Sequence, residues 1–173
     1  MRALSIFALL IGSAIWAPAS RAQCLGLTDL LAIGAEPTAL TSSKVVADHL
    51  TAGWTYVGAT ATVHESAWTF APAGATTLMA RLQLRAQRPG QDVVLKTSQA
   101  TCIRDLRGEL KSRKLTALPV TCPNCEAVRY QGPDFEATIY SQMKGEFPFV
   151  VVVHQVPPGM PPAASGTSGV KAP

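Results

Sequence analysis

The sequence lacks the features that would name a reaction. No Gly-x-Ser-x-Gly elbow surrounds any serine, and His49, His64 and His154 never fall in a two-histidine helical spacing. Catalysis has no local motif to start from, so no catalytic, cofactor-binding or metal-ligating residue is assigned and no cofactor is expected. Long apolar runs are missing too. Ala3 to Ala17 falls short of the roughly 20 residues a membrane-spanning helix requires, so no transmembrane span is expected once a leader is removed. Strong charge of one sign is also absent. The formal charge of +4 drops to +1 over residues 23–156, because Arg2, Arg21 and Lys171 lie in the ends. Nucleic acid is therefore not an expected partner.

What is present begins with a leader. Arg2 followed by the apolar run and by Ser20-Arg21-Ala22 reads as a signal peptide over residues 1–22, with small residues where a signal peptidase needs them. Bulky Gln23 before Cys24 argues against a lipoprotein reading. The expected location is secreted or periplasmic. At the other end, residues 157–173 are nearly all Pro, Gly, Ser and Ala, with too little apolar surface to offset the entropy of ordering. This predicts a disordered tail and leaves residues 23–156 as one α+β domain.

Within that domain, Thr28 to Gly34 reads as a short helix capped by Thr28 and stopped by Gly34. A second helix is expected from Thr41 or Ser42 to Gly53. The period then changes to two around Trp54, Tyr56, Trp68 and Phe70, with His64-Glu65 in a solvated turn between the aromatic strands. Thr77 to Gln87 alternates apolar Leu78, Ala80, Leu82, Leu84 and Ala86 with polar Arg81, Gln83 and Arg85, predicting a strand with one wet face. Pro89-Gly90 fits a type II turn into a partner over Asp92 to Ser98. Gln99 to Lys114 is the strongest helix, burying Ile103, Leu106 and Leu110, and Pro119 stops anything further. Strands over Glu126–Tyr130, Phe135–Met143 and Phe147–Val156 follow. The last is apolar on both faces and therefore central, ending at His154 as a hydrogen-bonded core residue. The expected fold is an antiparallel sheet of six or seven strands with helices on one face, arranged as two helix-plus-meander halves.

Cys24, Cys102, Cys122 and Cys125 are even in number and, in an exported chain, most simply form disulfides. A bridge from Cys102 to Cys122 or Cys125 would tie the long helix to the next strand, with Cys24 holding the N-terminus. Cys122-Pro123-Asn124-Cys125 also resembles the active-site motif of thioredoxin-like oxidoreductases and one knuckle of a zinc ribbon. The redox chemistry wants a helix after the first cysteine, whereas Glu126 to Tyr130 alternates like a strand. Zinc wants a second pair, which the sequence does not supply.

Two surfaces remain. Trp54, Tyr56, Trp68 and Phe70 form a cross-strand aromatic group, read as core rather than as a sugar-binding patch. Arg104, Arg107, Lys111 and Lys114 share one flank of the long helix, and Arg81 to Lys114 holds nine basic and three acidic residues. The reading that results is an exported non-enzymatic module. Its expected partner is a protein or an anionic envelope component such as lipopolysaccharide, met through the sheet or the basic helix. A thiol–disulfide protein or a zinc module built on Cys122 and Cys125 is the alternative.

Overall fold

Period-two patterning becomes one eight-stranded antiparallel sheet in the computed structural model, which describes residues 24–59, 65–87 and 89–157. The expected leader, His64 and the tail beyond residue 157 lie outside the described residues. Helices α1 (Leu27–Ala35) and α2 (Ser43–Ala47) lead into β1 (Trp54–Ala59), β2 (Glu65–Phe70), β3 (Ala80–Ala86) and β4 (Gln91–Thr97). Helix α3 (Ala100–Ser112) then leads into β5 (Ala117–Val120), β6 (Glu126–Gln131), β7 (Phe135–Ser141) and β8 (Phe149–Gln155). The spatial order is β1-β2-β3-β4-β8-β7-β6-β5. Each half is a helical segment followed by a four-stranded meander, and the two meanders join where β4 pairs with β8. The apolar run Val150 to Val153 thus lies at the centre of the sheet, as its two-sided hydrophobicity requires.

The expected strand count was one or two short. The addition is β5, whose Pro119 reads in sequence as a terminator. β5 is an edge strand with β6 as its only neighbour among the described residues, and there a residue without an N–H is tolerated.

One face of the sheet feeds the core. Trp68, Leu82, Leu95, Val151 and Ile139 stand in register across five strands, and Leu84, Val93, Val153 and Ala137 form the next row. These side chains cluster with Leu27, Leu30 and Ile33 of α1, Val46 of α2, and Ile103, Leu106 and Leu110 of α3. Trp68, at 2 % exposure, and Phe70, at 5 %, belong to that core, whereas their ring partners are less covered. Trp54 packs on Phe70 and is half-buried, and Tyr56 packs on Trp68 while 44 % exposed. The aromatic group is therefore core on β2 and surface at the edge strand β1.

Helix α1 differs from expectation at both ends. Gly26, not Thr28, is its N-cap, and Gly34 lies buried inside it rather than stopping it. A Cβ on Gly34 would stand 2.6 Å from Gln155 Oε1 and 3.4 Å from Val93 Cγ2, so this glycine lets α1 approach β4 and β8. Both ends are capped from elsewhere. Glu109 of α3 accepts from Leu27 N at 3.0 Å, and buried Gln91 of β4 donates to Gly34 O and Glu36 O at 2.8 and 3.0 Å. These contacts satisfy backbone groups that a helix leaves unpaired at its termini. Helix α2 is much shorter than the expected span to Gly53, and His49 beyond it meets Glu36 at 3.3 Å. Helix α3 buries the expected stripe with Cys102 added. Gly90 takes φ +99°, as its proline–glycine turn demands.

Candidate functional site

The four cysteines form two disulfides, Cys24–Cys102 and Cys122–Cys125, and no cysteine is free among the described residues. The bridge expected from Cys102 to the Cys122/Cys125 turn does not occur. Cys102 lies in the first turn of α3, directed at the segment entering α1, while the other pair closes the β5–β6 turn over a separation of three residues. Cys24–Cys102 staples the two helical segments together, and Cys122–Cys125 staples a hairpin at the sheet edge. Neither Cys122 nor Cys125 stands at a helix N-terminus, the setting that stabilises a thiolate in redox-active pairs. Among the described residues no group of three His, Cys, Asp or Glu is placed to hold a metal. None of the described helices is long and apolar enough to cross a membrane.

The basic flank of α3 is more dispersed than its spacing implies. Arg104 meets Asp105 at 3.6 Å, and Arg107 donates to Ser141 Oγ at 3.0 Å. Lys111 is exposed in the last turn, and Lys114 lies beyond the helix at φ +57°. A depression of about 520 Å³ beside Cys24, Gly26 and α3 includes Arg104 of the four. Its Glu109 is already committed to Leu27 N–H.

The other face of the sheet gathers charge that the sequence scatters. One row reads Glu65, Arg85, Asp92, His154 and Glu136 across β2, β3, β4, β8 and β7. Arg85 Nε lies 2.6 Å from Glu65, His154 Nδ1 lies 2.8 Å from Asp92, and Arg129 Nε lies 3.2 Å from Glu136. Each acidic side chain of the row has a basic or imidazole partner, so the row is a ladder of cross-strand pairs. It also corrects the reading of His154, which stands half-buried on this face and not in the core.

Two rows away the pattern fails. Thr69, Arg81, Lys96, Val150 and Tyr140 are in register, and Arg81 lies directly opposite Lys96 with no carboxylate in the row. Like charges placed opposite each other destabilise a sheet. Arg81 Nε is buried without a hydrogen-bond partner among the described residues. Glu65 is the carboxylate that acts favourably on Lys96, and it is already held by Arg85 and by Gln83 Nε2 at 3.1 Å. Desolvation pushes the Lys96 ammonium below its usual pKa, with Arg85 and Arg81 adding repulsion. Between the two rows lie Ala67, Gln83, Val94, Val152 and Thr138. Gln83 is only 5 % exposed and its Oε1 has no partner among the described residues, so the wet face expected of β3 is covered at its middle, while Arg81 and Arg85 stay half-buried.

A pocket of about 350 Å³ opens beside Lys96. Arg85, Lys96, Lys144 and Glu146 supply its charges, and Val94, Val150, Val152, Met143 and Phe147 its apolar wall. The segment between β7 and β8 forms one side, with Phe147 buried to 9 % exposure. Sequence reasoning placed Arg81 and Arg85 on the wet face of a strand and counted them with Lys96 in a basic segment. The strand register, which sets Arg81 against Lys96, is what makes them a site. No protein-family model, curated protein or solved structure matches this chain.

Proposed function

We propose that this chain is an exported, non-enzymatic binding module that recognises an anionic component of the cell envelope. In this reading residues 1–22 direct export, residues 23–156 form the working domain and residues 157–173 are a tether. The helices lie together on the core side of the sheet, and the opposite side is the binding surface. The observation that carries the reading is the uncompensated pair Arg81 and Lys96, joined by Arg85, on a face where Glu65, Asp92 and Glu136 are each already partnered. A fold that needed only stability would place a carboxylate opposite Lys96. An external anion removes the repulsion instead, so binding is favoured where folding is penalised. The α3 flank is the weaker candidate, because Arg104 and Arg107 already have partners.

The test is co-sedimentation with vesicles of anionic phosphatidylglycerol against neutral phosphatidylcholine. At about 1 kcal/mol per cation near an anionic surface, Arg81→Gln with Lys96→Gln should weaken anionic binding about thirtyfold and leave neutral vesicles unbound. The Arg104→Gln, Arg107→Gln, Lys111→Gln, Lys114→Gln variant should retain most of it. Equal binding by the Arg81/Lys96 variant and the native chain would remove the sheet face from consideration.

A further inference from the structure

The pocket beside Lys96 has a division of labour that a site for a bare anion would not need. Its cations, Arg85, Lys96 and Lys144, are set beside a continuous apolar wall of Val94, Val150, Val152, Met143 and Phe147. Val150 and Val152 belong to the central strand β8, and Val94 faces Val152 across the β4–β8 pair. On most sheet faces opposite a core such positions carry polar residues, because that side meets water. Here valines occupy three of them and remain only partly covered at Val150 and Val152. At the rim, Glu146 is the one carboxylate of the lining, and it is exposed beside Lys144. Glu65, the other nearby carboxylate, is engaged by Arg85 and Gln83.

We infer that this pocket binds a single-chain amphiphilic anion, its charged head at Lys96 and Arg85 and its hydrocarbon tail along Val94, Val150, Val152 and Phe147. The proposal rests on the anion-binding reading of this face and specifies its ligand. Three observations support it. With Arg85 held by Glu65 and Glu146 beside Lys144, Lys96 is the cation of the lining left without a carboxylate, so a negative head has an unmet demand to fill. Lys96 is half-buried and its ammonium partly desolvated beside Arg85 and Arg81, so an anion there compensates an interaction the fold leaves unfavourable. A volume of about 350 Å³ is at the lower end of ligand pockets, sized for a short chain rather than a folded domain. A carboxylate and a phosphate monoester share the required head chemistry, and both fit the mixed Arg and Lys set.

Isothermal titration of the full mature chain with acetate, hexanoate, octanoate, octyl phosphate and octanol tests this. Octanoate or octyl phosphate should bind, and whichever does so more tightly identifies the head. Affinity should rise about fourfold for each methylene from hexanoate to octanoate, since each buried CH2 adds a fixed increment. Acetate and octanol should bind at least tenfold more weakly, lacking tail and charge respectively. Lys96→Gln, which removes a like-charge repulsion and so should fold, should lower octanoate affinity about tenfold. Val150→Ser should flatten the chain-length dependence. Affinity indifferent to tail length, octanol binding as well as octanoate, or no binding by either anion would overturn the inference. Sedimentation with anionic vesicles separates the two levels: vesicle binding without octanoate binding removes the amphiphile pocket and keeps the anionic face. Octanoate binding without vesicle binding keeps the amphiphile pocket and removes the envelope surface as the target of this face.

Discussion

Removing the two disulfides one at a time should expose a large difference in what they do. Cys24–Cys102 closes a loop of 78 residues, whereas Cys122–Cys125 closes one of three. Restricting the unfolded chain by a cross-link of these lengths corresponds to about 4.5 kcal/mol for the first and about 1.6 kcal/mol for the second. Packing adds to the contrast. Cys102 is 1 % exposed, and Cys24 leads directly into Leu25 and Leu27, buried at 2 % and 0 %. The edge pair, in contrast, is half-buried in a hairpin turn. The perturbations are Cys24→Ala with Cys102→Ala and, separately, Cys122→Ala with Cys125→Ala. Urea unfolding followed by tryptophan fluorescence, with buried Trp68 as reporter, gives both stabilities at a common slope. The Cys24/Cys102 variant should lose nearly three times as much as the other, with a melting temperature lower by about 10–15 °C in a chain of this size. An equal loss, or a greater one at Cys122/Cys125, would refute the argument that the long staple between the helical segments dominates.

Three further outcomes follow from single contacts. Gly90→Ala should cost at least about 2 kcal/mol, because φ +99° disfavours a Cβ that would also collide with Gln155 O and sit 3.0 Å from Val156 Cα; the urea midpoint reads it. Glu109→Ala should cost about 1 kcal/mol by uncapping Leu27 N–H at the start of α1, and hydrogen exchange should rise in that helix before it rises in β4 or β8. Lys96→Met should be more stable than the native chain at neutral pH. The folded state holds the Lys96 proton less tightly than the unfolded one, so native stability rises with pH between the lowered folded value and the ordinary 10.5, and the advantage of the variant should shrink across that window. A difference independent of pH from neutrality to alkaline conditions would contradict that sign.

Much of the architecture was readable residue by residue. The alternation of Leu82 and Leu84 with Arg81, Gln83 and Arg85 made a strand, and the spacing of Ile103, Leu106 and Leu110 made α3. The two-sided apolar run of β8 marked it as central. These features are local, set by side-chain period and turn chemistry. Local cues misled where a distant contact took over. Gly34 looks like a helix stop, yet it stays helical because Val93 and Gln155 pack against it. Pro119 looks like a terminator, yet an edge strand accommodates it.

The candidate site was the least legible part. The basic flank of α3 was visible because helix geometry fixes which residues share a side, but Asp105 on the helix itself and Ser141 of β7 then partnered two of its cations. By itself the sequence determined the periods, the central apolar strand, the even cysteine count and a basic central segment. Only the tertiary structure decided which cysteine meets which, and that Arg81 faces Lys96 while Asp92 is taken by His154. The physical reason is that pairing register and disulfide partners depend on where residues far apart in the chain come to rest. Side-chain period fixes a residue's face but carries no information about its neighbour across the sheet.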